Sequence, residues 1–347
     1  MSDPVERLLD LGLRNRWYPI CPSWWIKDKP VGMTRLGEGM VVWRDKVGAL
    51  HALQDRCPHR GARLSQGFVA GNGDRLQCWY HGVEVKADGV VAAVPAVDAC
   101  PLVGQRAVKS YAVREIGGGV FAYFGDALHP EPCELILPEE LGNPQKFGAF
   151  LCTARWECNN RYALENVADP MHGTFLHSVS HSMSEGERTA RMAIRKTPHG
   201  FYFEKKDQKG VNFDWVEVGD TGTIWMRLSI PYQKKFGPGG PFFINAWATP
   251  IDENTTQFFA WRLREVKGWQ RDLWNFFYKT RLEGPHWDVL EQDRAILETM
   301  TENARDHEFL YQHDMGIAHL RRMLLDEARA QVAALDAAKQ RQDIAAE

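Results

Sequence analysis

No stretch of this chain approaches the roughly 18 consecutive apolar residues that a membrane-spanning helix needs. The opening Met1-Ser2-Asp3-Pro4-Val5-Glu6-Arg7 lacks the basic-then-apolar order of a signal peptide. A cytoplasmic protein without membrane association is therefore expected. Neither sign of charge is in excess: 42 lysines and arginines face 45 aspartates and glutamates, a net charge of -3, so nucleic acid is not expected as a partner. Cysteine is scarce and odd in number, seven residues scattered along the chain, which speaks against a disulfide framework and fits a reducing compartment. The glycines offer no dinucleotide-binding loop, because Gly71-Asn72-Gly73 lacks the third glycine of the pattern and Gly237-Pro238-Gly239-Gly240 is interrupted by proline. No internal repeat is present.

What is there suits a folded chain of 347 residues, 44% hydrophobic and 25% charged, long enough for about two to three domains. Ser2 or Asp3 as the cap and Pro4 at the first helical position, followed by Val5, Leu8 and Leu9 at helical spacing, predict a short N-terminal helix. From Trp17 to Phe124 the texture is β-rich, with runs such as Met40-Val41-Val42-Trp43 and Gly119-Val120-Phe121-Ala122-Tyr123-Phe124 punctuated by Gly, Asp and Pro, which predicts a small all-β domain. A Pro-rich stretch from His129 to Pro144 marks the boundary, giving expected domains over 1–140 and 141–347. The second part predicts strands near 200–203, 223–228, 242–247 and 257–261, then helices over 269–301 and 317–346. That pattern is α+β, an antiparallel sheet flanked by helices.

The 12 histidines are few enough to take one by one. Cys57-Pro58-His59 is followed, after 18 intervening residues, by Cys78-Trp79-Tyr80-His81. Either half alone is weak, since a lone buried cysteine usually serves as a small hydrophobe. Two Cys-His pairs in one small β domain form a ligand set, and two metals suit it. Zinc takes two thiolates and two imidazoles in a closed tetrahedral site. A Rieske [2Fe–2S] cluster divides them, thiolates on one iron and imidazoles on the other. The loops continue as Cys57-Pro58-His59-Arg60-Gly61-Ala62-Arg63-Leu64-Ser65-Gln66-Gly67 and Cys78-Trp79-Tyr80-His81-Gly82, and from Trp17 to Phe124 the chain resembles the Rieske domain of ring-hydroxylating oxygenases. The resemblance implies Cys57, His59, Cys78 and His81 as the cluster ligands. Gly61 and Gly82 suit loops whose backbone N–H groups approach sulfide closely. Val83 departs from the resemblance, which commonly has tryptophan after the second His-Gly.

The second constellation is Glu165-Asn166-Val167-Ala168-Asp169-Pro170-Met171-His172-Gly173-Thr174-Phe175-Leu176-His177. Two histidines five apart, with an acid three before the first, suggest the two-histidine, one-carboxylate site of oxygen-activating mononuclear iron. On an unbroken helix residues five apart diverge by about 140°, so His172 and His177 converge only where the helix ends or distorts. Pro170 and Gly173 supply breaks. The order Asn166-x2-Asp169-x2-His172-x4-His177 resembles the iron motif of Rieske non-haem iron oxygenase α subunits. That resemblance implies that His172 and His177 bind Fe(II). It implies that Asp169 is no ligand but bridges electron transfer from a Rieske histidine of a neighbouring subunit, in a homotrimer. His181 fits no position of the motif and is read as structural or as a neighbour of the site. Of the acids in Asp288-Val289-Leu290-Glu291-Gln292-Asp293-Arg294-Ala295-Ile296-Leu297-Glu298, Asp293 matches the family's carboxylate ligand, and the other three are expected to be solvated or salt-bridged.

Both motifs in order imply a terminal oxygenase component. It would take electrons from a separate reductase or ferredoxin fed by NAD(P)H, and use O2 to hydroxylate, dihydroxylate or oxidatively demethylate a small organic substrate, expected to be aromatic. The alternative, a Rieske electron-transfer protein without oxygenase activity, leaves His172, His177 and Asp293 without a role. Period-2 alternation sets Phe243, Asn245 and Trp247 on one side of their strand. An aromatic wall with one amide suits a flat ring, so these three are expected to line the substrate pocket.

Overall fold

The computed structural model describes residues 3–180, 186–231, 240–301 and 303–346, with residues 17–125 forming one unit and residues 1–16 with 126–347 the other. The boundary expected at 140/141 thus falls earlier, at 125/126, and the N-terminal helix belongs to the second unit, not the first. The reason is apolar packing. Helix α1 (Pro4–Leu11), capped by the Asp3 carboxylate on the Val5 N–H at 3.0 Å, lays Leu9 into the large core of the second unit and packs on the closing helix of the chain.

In the first unit, strands β1 (Arg16–Pro22), β2 (Val31–Arg35), β3 (Glu38–Arg44), β4 (Leu50–Gln54), β5 (Phe68–Ala70), β6 (Arg75–Gln77), β7 (Glu84–Lys86), β8 (Val91–Ala93), β9 (Ser110–Tyr111), β10 (Val113–Ile116) and β11 (Gly119–Phe124) form three sheets. Their orders are β1-β11-β10, β2-β3-β4-β9 and β5-β6-β7-β8. Alternation along β3 accounts for the arrangement: Met40 and Val42 face one core with Ile20, Val120 and Phe124, while Val41 and Trp43 face another with Leu53, Leu76 and Val85. The second of these cores holds Cys57 and Cys78.

The second unit runs α2 (Glu139–Gly142), β12 (Phe147–Trp156), α3 (Asn160–Ala168), α4 (Gly173–Leu176), β13 (Met192–Lys196), β14 (Gly200–Lys205), β15 (Trp215–Asp220), β16 (Ile224–Ile230), β17 (Phe242–Pro250), β18 (Thr256–Glu265), α5 (Trp269–Phe277), a π-helical turn (Tyr278–Leu282), α6 (Glu283–Leu297) and α7 (Met315–Ala346). The strands make one antiparallel sheet in the order β12-β18-β17-β16-β15-β14-β13. Phe242, Ala246 and Ala248 of β17 and Phe258 and Ala260 of β18 share a core with Val167 of α3, with Met171 just after it and with Leu290 and Leu297 of α6. Small residues on β17 let α3 lie close against the strand. On α7, Leu320, Leu324 and Ala328 recur at helical spacing and form a buried stripe.

Glu165 of α3 ties this layer together. Its buried carboxylate accepts from Arg305 at 2.6 Å and from Arg321 of α7 at 2.7 and 2.9 Å. Glu165→Ala would leave the partly buried Arg305 guanidinium unpaired and Arg321 with Glu308 alone, and a loss of about 3 kcal/mol is expected, read as a lower urea midpoint.

Candidate metal centres

The two Cys-His loops have the same backbone build. The Cys57 carbonyl accepts from Gly61 N–H at 2.9 Å and its N–H donates to the Ala62 carbonyl at 2.7 Å; Cys78 repeats this with Gly82 at 2.9 Å and Val83 at 2.8 Å. Both turns close through a positive φ, 78° at Gly61 and 71° at Gly82, where a side chain would be strained. The sulfurs are buried and both imidazoles exposed, with the His59 and His81 rings 4.6 Å apart between centroids. Burial pushes the Cys57 thiol up to about 11, the adjacent Cys78 sulfur adds to the rise, and the His59 and Arg60 N–H groups oppose it. Two sulfurs drawn together, with N–H donors aimed at one of them, fit a cationic metal group bound between the loops. Val83, the departure from the family pattern, is a fully buried core residue beside Cys78 and removes no ligand.

The second centre forms where α3 stops. Asp169 leaves the helix with φ -99° and ψ 104°, and α4 is a single turn with His172 before it and His177 after it. The break lets residues five apart converge, with ring centroids 5.1 Å apart. His172 Nε2 lies 3.5 Å and His177 Nε2 3.2 Å from Asp293 Oδ1, and the three candidate ligand atoms all fall within 4.8 Å of one another. All three are buried and lack a hydrogen-bond partner among the described residues. Burial disfavours charge on His177, yet the Asp293 and Gln292 contacts outweigh it and raise its pKa. The pocket draws positive charge, and its donors suit a ferrous ion.

The outer nitrogens explain the aim of the rings. His172 Nδ1 donates to the Asp169 carbonyl at 2.6 Å and His177 Nδ1 to Gln292 Oε1 at 2.8 Å. Each bond fixes the tautomer and turns Nε2 toward Asp293. Gln292 was not singled out from the sequence; its one signal is its place next to Asp293. Gln292→Ala is expected to weaken iron binding about 10- to 100-fold, measured by competition with a chelator. Phe213 also escaped the sequence reading. It holds a left-handed φ of 53°, a strained conformation that costs about 1–3 kcal/mol and tends to persist at functional sites. Its ring packs 5.3 Å from His172 and 6.4 Å from His177, and Gly173 gives it room, since a Cβ there would come within 3.3 Å of it.

The structure sorts the acids of α6. Asp293 is buried at the centre, Glu291 and Glu298 pair with Arg294, and Asp288 is exposed. Asp169 lies beside His172, with its Oδ1 accepting the Met171 N–H at 2.7 Å. The expected pocket wall requires correction. Phe243, Asn245 and Trp247 share a face of β17, but it is the opposite face, Phe242, Ala246 and Ala248, that shares a core with Met171, next to His172, and with Leu290, one turn before Asp293. Trp247 instead donates to Thr223 Oγ1 at 3.0 Å and meets Trp261 edge-on at 5.0 Å, while Phe243 packs near Phe147 and Arg227. The aromatic stripe looked like a binding wall because it is large; the side facing the site is small because helices press on it. His181 and residues 237–239 lie outside the described residues.

An electron-transfer loop pair and a buried two-histidine, one-carboxylate centre in one chain belong together in iron-dependent redox proteins. Residues 16–112 match the Rieske [2Fe-2S] domain family, and residues 156–330, half of the chain, match the vanillate O-demethylase oxygenase C-terminal domain family. The chain belongs to the Rieske non-haem iron oxygenases, as an oxygenase component of the α-subunit type. The Rieske match removes the zinc alternative. The chain is similar to a vanillate O-demethylase oxygenase subunit of Pseudomonas sp. (strain HR199 / DSM 7063), 35% identical over 50% of this chain and 47% of the relative. It is similar to the terminal oxygenase component of carbazole 1,9a-dioxygenase of Metapseudomonas resinovorans, 34% identical over 49% of this chain and 44% of the relative. These alignments thus span about half the length of those curated relatives. A phthalate 4,5-dioxygenase oxygenase subunit of Pseudomonas putida is 26% identical over 92% of this chain and 82% of the relative. Among solved structures, the terminal oxygenase of carbazole 1,9a-dioxygenase from Novosphingobium sp. KA1 shares the fold, with a TM-score of 0.75 at 22% identity over 92% of this chain and 94% of that one. No helix among the described residues is long and apolar enough to cross a membrane.

Proposed function

We propose that this chain is a terminal oxygenase, taking electrons from a separate reductase or ferredoxin and using O2 to hydroxylate, dihydroxylate or oxidatively demethylate a small aromatic substrate in the cytoplasm. The observation that carries the reading is the convergence of His172 Nε2, His177 Nε2 and Asp293 Oδ1, buried and unpartnered among the described residues, in the same chain as a Rieske loop pair. Fe(II) at these three atoms would supply the oxygen chemistry, and a [2Fe–2S] cluster on Cys57, His59, Cys78 and His81 the electrons. The residues of the chain hold that chemistry in place. The Asp169 carbonyl and Gln292 aim the two imidazoles, and the Phe213 ring packs beside them. Asp169, bonded to His172 through its backbone and partly exposed through its carboxylate, is suited to receive a Rieske histidine of a second subunit, which requires a head-to-tail ring, most simply a homotrimer. The relatives named for vanillate, carbazole and phthalate favour an aromatic substrate.

Oxygen uptake tests the reading. With NADH alone the purified chain is expected to consume no oxygen, because it carries no dinucleotide loop. With a surrogate reductase, NADH and a panel of aromatic acids, phenols and methylated amines, uptake coupled to product is expected. Uptake with NADH alone, or none with any member of the panel, would contradict it.

A further inference from the structure

Gln292, which accepts the outer N–H of His177, stands on the rim of a groove. Pro285, Asp288, Gln292 and Ala295 recur at i, i+3, i+7 and i+10 along one face of α6, and with Val179 and Ser180 they line a pocket of about 650 Å³. Asp293 is one residue further on, about 100° around the helix axis, and is buried. Gln292 thus has the metal centre on one side and a void on the other. Packing cannot hold a long, flexible side chain against a void, and fixing a glutamine costs rotamer freedom. It stays on His177 only if bonds keep it there.

Two bonds do so. Gln292 Oε1 accepts from His177 Nδ1 at 2.8 Å and from Ser180 Oγ at 3.2 Å, and Gln292 Nε2 has no hydrogen-bond partner among the described residues. The chain just after the histidine delivers the serine to this place. Ser180 N–H donates to the His177 carbonyl at 2.9 Å, which closes a four-residue turn and brings the hydroxyl back beside the imidazole. The bonds form a ring, from the His177 side chain to Gln292, to Ser180 and back to the His177 backbone. If the amide swung into the groove, Nδ1–H would lose its acceptor in a buried site, a costly loss. The proton could instead move to Nε2, the atom that has to be bare to bind a metal.

We infer that Ser180 is a positioning residue of the second metal centre: its hydroxyl holds the Gln292 amide on His177 Nδ1, which keeps His177 Nε2 aimed at the point it shares with His172 and Asp293. The inference rests on the reading of His177 as an iron ligand; the bond ring itself stands on the contacts of Ser180. Fe(II) affinity of the cluster-loaded chain, measured without oxygen by competition with a chelator, tests it. The wild type is compared with Ser180→Ala, Ser180→Thr, Gln292→Ala and the double variant that carries both alanines. Ser180→Ala is expected to weaken Fe(II) binding about 3- to 10-fold, the scale of one hydrogen bond. Ser180→Thr should bind as the wild type does, because the hydroxyl stays and the groove takes the added methyl. In the Gln292→Ala background, Ser180→Ala should cause no further loss, since no amide is left to hold. A serine that merely supported the turn would weaken binding in both backgrounds. Wild-type affinity in Ser180→Ala, a loss in Ser180→Thr as large as in Ser180→Ala, or a loss that persists beside Gln292→Ala overturns the inference. The wild type separates the two claims: no Fe(II) binding there sinks the iron centre and the role of Ser180 with it, whereas tight binding that Ser180→Ala leaves unchanged sinks the role of Ser180 alone.

Discussion

Asp293→Ala is expected to leave about two irons per chain where the wild type holds about three, the two belonging to the [2Fe–2S] cluster, and to bring coupled turnover below detection. Asp293 supplies the carboxylate oxygen that faces both imidazoles, at 3.5 and 3.2 Å. Without it a dication would sit in a buried pocket against two neutral rings, and the burial of uncompensated charge is strongly unfavourable. The visible spectrum of the cluster should not change, because Cys57, His59, Cys78 and His81, its proposed ligands, lie in the other unit. Asp288→Ala, on the same helix but exposed, is the control and should behave as the wild type. Iron analysis with product formation checks the prediction; three irons and normal turnover in Asp293→Ala would remove Asp293 from the site.

Asp169→Asn is expected to keep all three irons yet slow product formation by more than about 100-fold, the scale on which a misplaced reacting group acts. The substitution is clean for a structural reason. The bond that orients His172 comes from the backbone carbonyl of residue 169, and the turn is held by a side-chain oxygen accepting the Met171 N–H. Asparagine preserves both and removes only the charge. The cluster should still be reduced at the normal rate by the external donor, and the loss should appear in the step after reduction. Near-normal coupled turnover would refute the bridge and leave Asp169 as a residue that shapes the turn.

The candidate ligands were legible because metal chemistry restricts residue type and spacing: Cys57, His59, Cys78, His81, His172 and His177 stand out by order and by the family resemblance they carry, and the break at Pro170 and Gly173 could be argued from the helical repeat. Strands β14, β16, β17 and β18 and the helical segments after residue 269 were legible from periodicity. Strands β12, β13 and β15 were not: Ala149, Ala154 and Arg195 dilute the β signal, and pairing with their neighbours makes them strands.

The sequence by itself set out the candidate metal-binding side chains, the two kinds of metal group they suit, and the alternation of β17 between two faces. Tertiary structure decided which of those faces meets the site, because a strand's alternation is the same whichever side the helices cover. It decided that α1 joins the second unit, since a short amphipathic helix packs wherever an apolar groove is open. It alone brought Gln292 and Phe213 into the account, because a hydrogen bond to an outer nitrogen and a ring packed beside both histidines depend on contacts between residues far apart in the chain.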